Sequence, residues 1–226
     1  MTTETTIAPP PVSRRTRRRP QWLVPTGLIL LSLIPVLAGA FRLTELTGAA
    51  TITPDNERFF TSPIPVVTHI VSVTVYSLLG AFQFVPSLRG RRGWHRIAGR
   101  ILVPAGLLAA LSGLWMTVSY SLPASDGDAL VVIRLVFGWA MVASIALGIV
   151  AITRRDFVAH GAWMTRGYAL GTAAGTQSLI MIVPSILGTL DPVTKAALMA
   201  ASWVINLAVA EYVIRRRAAP QRGPRP

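Results

Sequence analysis

Ala129–Ile152 reads ALVVIRLVFGWAMVASIALGIVAI, an apolar run interrupted by one charged side chain, Arg134. At about 1.5 Å of rise per residue, a helix of this length crosses the roughly 30 Å of a bilayer's hydrocarbon. The run does not alternate with period two, as a barrel strand would, and a backbone removed from water must satisfy its own hydrogen bonds, so the segment is read as a helix. The same reading applies to Trp22–Phe41, Pro63–Val85, Ile101–Tyr120, Gly167–Gly188 and Val193–Ile214. The expected fold is an all-α, polytopic membrane bundle of six transmembrane helices over 22–214. A disordered basic tail, 1–21, precedes it and a second basic tail, 215–226, follows it.

Composition agrees with a bilayer as solvent. Of 226 residues, 52% are apolar and 14% charged, with a mean hydropathy of +0.53, whereas about a quarter of a soluble domain's residues are charged. A soluble globular enzyme is thereby excluded. The net charge of +13 would suit nucleic acid only as a basic face with groups that read bases. Here the arginines lie between apolar runs, so the partner they imply is anionic lipid and not nucleic acid. Cysteine is absent, which removes disulfides, thiolate metal sites and cysteine catalysis.

The basic residues also give an orientation. One side holds Arg14, Arg15, Arg17, Arg18 and Arg19, then Arg89, Arg91, Arg92, Arg96 and Arg100, then Arg154, Arg155 and Arg166, then Arg215, Arg216, Arg217, Arg222 and Arg225; the other holds Arg42, Arg58 and Lys195. The positive-inside rule places the first side, and both termini, in the cytoplasm, as expected for the bacterial cytoplasmic membrane. Arg91, Arg92, Arg96, Arg100, Arg154, Arg155 and Arg166 are assigned to lipid headgroups. A rival account of the first span is a signal peptide cut after Ala38-Gly39-Ala40; its length, Pro25 and Pro35 favour a retained helix. The loop Leu43–Ser62 is expected to rest Phe59, Phe60 and Ile64 on the membrane interface. The short connections Ser121–Asp128 and Thr189–Pro192 make the third and fourth helices, and the fifth and sixth, neighbours.

Few polar groups lie within the spans. His69 sits roughly 9 Å below the outer end of the second helix, and Ser72, Tyr76, Gly80 and Gln83 continue its face at helical spacing, a stripe that must turn toward protein. His69 either joins helices by hydrogen bonding or serves as a metal or haem ligand or proton carrier. Arg134 lies at a similar depth: it either snorkels to outer headgroups or, with His69, holds an anionic group such as a haem propionate, a quinone oxygen or a substrate carboxylate. His95 and His160 enter from two cytoplasmic loops at one depth and are read as an inner bis-histidine haem pair or as residues contacting phosphate at the interface. Met116, Met181 and Met199 stand near the height of His69, which admits His/Met ligation. Gly167, Gly171 and Gly175 suit close helix contact, and Gln177 and Asn206 need partners, each other being the simplest. Prolines 25, 35, 104 and 184 are expected to kink their helices.

Other machinery is missing. There is no phosphate-binding glycine loop, HExxH, nucleophile elbow or carboxylate pair in a span, which argues against hydrolysis, ATP-driven transport and carboxylate-driven cation transport. Arginine pairs precede His95 in Arg91-Arg92-Gly-Trp-His95-Arg96 and His160 in Arg154-Arg155-Asp-Phe-Val-Ala-His160, and a further arginine, Arg100 or Arg166, marks the next entry into the membrane. This is a weak echo consistent with a repeated two-helix unit.

At His69, Gln83, His95-Arg96-Ile-Ala-Gly99-Arg100 and His160-Gly-Ala-Trp163-Met164-Thr-Arg166, the chain resembles the bacterial predicted membrane proteins grouped as domain of unknown function 2306, over about Thr61 to Ile214. The resemblance implies fold and membrane location; the family carries no assigned activity. More loosely, the chain looks like the di-haem cytochromes of the b561 kind, in which histidines on adjacent helices hold haem near each face, although the outer site here shows one histidine. The functional expectation is an integral membrane protein that binds a redox cofactor, haem b or a quinone, or a small anion. His69, His95, His160 and Arg134 would bind it, with Tyr76, Gln83, Gln177 and Asn206 as substrate-facing or structural polar groups. The alternative is a non-enzymatic carrier or assembly protein in which these residues are structural.

Overall fold

The computed structural model describes residues 21–89, 92–188 and 190–218. Most of tail 1–21, Arg91 and the last eight residues lie outside this set. Helices follow in the order α1 (Leu23–Thr44), a π-helical turn (Glu45–Ala49), α2 (Glu57–Thr61), α3 (Pro63–Ala81), a 3-10 turn (Phe82–Phe84), α4 (Pro86–Arg89), α5 (Arg92–Ser119), α6 (Gly127–Thr153), α7 (Phe157–Gly171), α8 (Ala173–Leu187) and α9 (Pro192–Ala218). The protein is a helical membrane bundle. Five segments, Leu23–Gly48, Pro63–Phe84, Gly93–Ser119, Gly127–Thr153 and Pro192–Ala218, are long and apolar enough to cross a membrane.

The predicted fifth span, Gly167–Gly188, is not one helix. Helix α7 begins at Phe157, where Asp156 caps it by accepting from the Ala159 N–H at 2.9 Å, and the helix is interrupted at Thr172. There the Thr172 N–H and hydroxyl both donate to the Tyr168 carbonyl, at 3.0 and 2.9 Å. Gly171 and Thr172 are weak helix formers, although Ala173 and Ala174 are strong ones, so packing decides. On either side of the break the chain changes neighbours: α7 lies against α6 and α9, α8 against α1 and α9.

Helices α3 and α5 bury the largest share of their spans and α1 and α9 the smallest. The core comprises Tyr76, Leu102, Ala105, Ala110, Met141, Ile145, Tyr168 and Leu170. Within the polar stripe of α3, Ser72, Tyr76 and Gly80 are buried. Tyr76 fills the space left by the missing side chains of Gly106 and Gly171, and Tyr168 donates its hydroxyl to the Ser77 carbonyl at 2.7 Å. Helix α1 packs into the bundle: a Cβ at Gly175 would collide with the Leu31 carbonyl oxygen, and one at Gly39 with Ile70. Side chains such as Leu30, Leu37, Val136 and Val209 are exposed, as lipid-facing positions are. Helices α5 and α6 are neighbours, as are α8 and α9, in keeping with their short connections.

The long loop packs against the bundle through one aromatic side chain. Phe59 meets the edge of Tyr120 at 5.7 Å, and the guanidinium groups of Arg42 and Arg58 lie 4.5 and 4.6 Å from its ring. Tyr120 donates to the Ser62 carbonyl at 2.5 Å. Phe59 is therefore held against the end of α5, leaving Ile64 exposed.

Candidate functional site

His69 comes from the first half of α3 and faces α5. Its Nδ1 lies 2.9 Å from the Ala109 carbonyl oxygen and 3.2 Å from Ser112 Oγ. A carbonyl only accepts, so Nδ1 carries a proton, and in the neutral ring Nε2 then keeps its lone pair. The close approach depends on Gly113, where a Cβ would stand 3.3 Å from His69 Cε1.

Arg134 belongs to α6. It neither snorkels alone nor stays unpaired: its Nη1 donates to Asp126 Oδ2 at 2.7 Å. Lys195, in the first turn of α9, donates to Asp126 Oδ1 at 2.6 Å and to Ser125 Oγ at 3.2 Å. Asp126 thus ties the start of α6 to the start of α9, with its side chain 7% exposed. Burial pushes the Asp126 carboxyl up, but hydrogen bonds from Lys195 and Arg134 outweigh it and hold the group below the usual carboxylate range.

His69 and Arg134 line one cavity of about 510 Å³, within the range of small-ligand sites. Its wall also includes Arg58, Asp126, Phe137, Met141, Gln177 and Trp203. Gln177 Nε2 is buried and has no hydrogen-bond partner among the described residues, an unmet donor beside the cavity. Phe137 and Trp203, both on the wall, stack face to face with ring centres 4.9 Å apart. Met116 and Met199 also line the wall, and Met181 is not on it. A second cavity of about 140 Å³ adjoins α1, and His69, Val73, Gly171 and Ala174 border both. His69 and the residues flanking the Thr172 break therefore form the partition between the two.

The remaining candidates are dispersed. His95 is exposed near the start of α5 and hydrogen-bonds Gln83 Oε1 through Nδ1; both are among the residues that carry the sequence resemblance. His160 Nδ1 lies 2.8 Å from the Gly148 carbonyl oxygen. Neither His95 nor His160 borders either cavity. Asn206 does not pair with Gln177: it donates to the Ala169 carbonyl at 3.0 Å and accepts from Thr176 at 2.7 Å. Tyr76 is a core residue, 5% exposed.

Among the arginines, Arg96, Arg100, Arg154 and Arg155 are exposed, and Arg92 is described only in its backbone. Arg166 is engaged by protein: its Nε and Nη2 reach the two Glu211 oxygens at 2.5 and 3.1 Å, and its guanidinium lies 4.5 Å from the Trp163 ring. Asp126, Lys195, Arg58 and Trp203 are site residues that the sequence reading passed over. The available signal was Asp126 at the mouth of the span that contains Arg134, since an arginine within a span calls for an anion nearby.

Comparison with known proteins agrees with this architecture. No curated protein and no solved structure matches the chain. The family described as "Predicted membrane protein (DUF2306)" matches residues 66–214, which runs from α3 into α9 and takes in His69, Arg134 and Gln177. On that match, over more than half of its length, the chain belongs to this family of predicted membrane proteins.

Proposed function

We propose that the protein binds a small amphiphile of the quinone class in the cavity between α3, α5, α6, α8 and α9. The reading is carried by His69 and Arg134, far apart in sequence, bordering one space whose wall also holds an unpartnered Gln177 amide. The chemistry of the wall suits such a head group. Arg134 offers donors to carbonyl oxygens, as does the Gln177 amide once its side chain turns toward the space, and His69 Nε2 offers an acceptor to a hydroxyl, so both oxidation states of a quinone find partners. The stacked Phe137 and Trp203 rings supply aromatic surface on the wall for the apolar part of such a molecule. By the charge rule this cavity opens toward the outer half of the cytoplasmic membrane, with both termini cytoplasmic and the exposed arginines against anionic headgroups.

Haem b is the less supported occupant. His95 and His160 are held by separate acceptors away from both cavities, and His69 is the single imidazole on the cavity wall among the described residues.

The test is titration of the full-length protein, in lipid nanodiscs, with a decyl benzoquinone, read by quenching of tryptophan fluorescence. Saturable quenching is expected, with most of its amplitude lost in Trp203→Phe; affinity for the reduced quinol, read by its competition with the quinone, should fall about tenfold in His69→Ala, the worth of one hydrogen-bonded contact. Quenching that rises linearly, as in protein containing no site, would refute the reading.

A further inference from the structure

The charge of the cavity wall indicates which head group it prefers; this rests on the amphiphile reading above. Asp126 is one carboxylate shared by two cations, Arg134 at 2.7 Å and Lys195 at 2.6 Å. Arg58 is the second cation on the wall itself, Lys195 reaching Asp126 from outside the lining, and Arg58 has no ion pair among the described residues. Asp126 is the one acid among the lining residues. The end of the cavity at Arg134 therefore carries surplus positive charge, partly shielded from water, where an anion interacts more strongly than in bulk solvent.

The geometry of Arg134 gives that surplus a direction. One guanidinium nitrogen, Nη1, is held by Asp126, whereas Nε and Nη2 make no hydrogen bond among the described residues. Those two nitrogens form one edge of the planar fork, the edge that takes two oxygens side by side. Asp126, itself anchored by Lys195, holds Nη1, so the fork is oriented before a ligand arrives.

We propose that the cavity selects an amphiphile whose head carries an anionic oxygen, as in an acidic hydroxyquinone, over its uncharged counterpart, with the Nε/Nη2 edge of Arg134 as the anion's seat. Asp126 is then a positioning residue and Arg134 a binding residue. The apolar body extends among Phe137, Met141, Leu170, Met199 and Trp203.

The test uses the full chain in nanodiscs at about pH 8 with two probes, an alkyl hydroxynaphthoquinone, ionised at that pH, and its uncharged methyl ether. Each is titrated by tryptophan quenching against empty discs. The ionised probe is expected to bind about tenfold more tightly, the effect of one charge-assisted contact. Arg134→Gln should bring the two probes within about twofold of each other while retaining the ether. If that variant does not fold, Lys195→Met is read instead: with Asp126 left to Arg134 alone, the preference should fall about threefold. Equal binding of both probes by the unmodified protein overturns the anion preference and leaves the amphiphile cavity standing. Binding of neither overturns both. A preference unchanged in Arg134→Gln, or in Lys195→Met where that is the variant read, removes Arg134 from the anion's seat.

Discussion

Replacing Asp126 with Asn should destabilise the bundle more than removing either cation that it holds. The carboxylate is 7% exposed, Arg134 26% and Lys195 21%, so the arrangement falls between a surface ion pair, about 0–1 kcal/mol, and a buried one, whose breakage costs about 3–5 kcal/mol. Asn keeps the volume and one acceptor but leaves two cations facing each other without their shared anion, for an expected loss of about 2–3 kcal/mol. Lys195→Met leaves the Asp126–Arg134 pair intact and should cost about 1 kcal/mol. The assay is equilibrium unfolding in mixed micelles with increasing denaturing detergent, followed by circular dichroism. The pH dependence has a definite sign. Because the folded carboxyl is held below its ordinary value of 3.8, its contribution is complete above roughly pH 4 and fades as pH falls through the folded pKa. The unmodified protein should therefore lose stability on acidification more than Asp126→Asn does. Equal stabilities for Asp126→Asn and Lys195→Met, or parallel pH profiles, would refute the shared-anion reasoning.

Two other outcomes follow from packing. Gly175→Val should loosen α1 by about 2 kcal/mol or more, since the new side chain meets the Leu31 backbone; Gly27→Ala, with open space around it, should change stability by less than about 0.5 kcal/mol in the same titration. Arg166→Lys keeps the charge but loses the two-nitrogen grip on Glu211, and should cost about 1 kcal/mol, with faster protease cleavage at the end of α9 as a second readout.

Hydropathy and loop length made the bundle legible, because a bilayer imposes helix formation on any long apolar run and short connections impose adjacency. They could not reveal the break at Thr172. The residues Gly171-Thr172-Ala173-Ala174-Gly175 are apolar enough to continue a span, and the break coincides with tertiary packing that sequence does not show, Tyr76 close against Gly171 and Leu31 close against Gly175. The site was legible in part for a similar reason. His69 and Arg134 stood out as costly groups within apolar runs, and they border one cavity. Asp126 and Lys195 looked like ordinary loop charges, and only the meeting of α6 with α9 makes them partners. Asn206 and Gln177 seemed natural partners by depth, yet depth carries no information on which way a helix is turned, and Thr176 takes the Asn206 amide oxygen instead.

The central claim is that a ligand enters a cavity bordered by His69 and Arg134 inside the bundle. The chain has no cysteine, so single cysteines report without background. Met116 lines the cavity and Val118, two residues on, is exposed on the outer face of α5. Alkylation rates of Met116→Cys and Val118→Cys by a small maleimide, with and without the decyl benzoquinone, test the claim directly. The account predicts that Met116→Cys reacts and is protected at least about tenfold by saturating ligand, while the rate at Val118→Cys does not change. A Met116→Cys that is inert, or that reacts equally with ligand present, would contradict it.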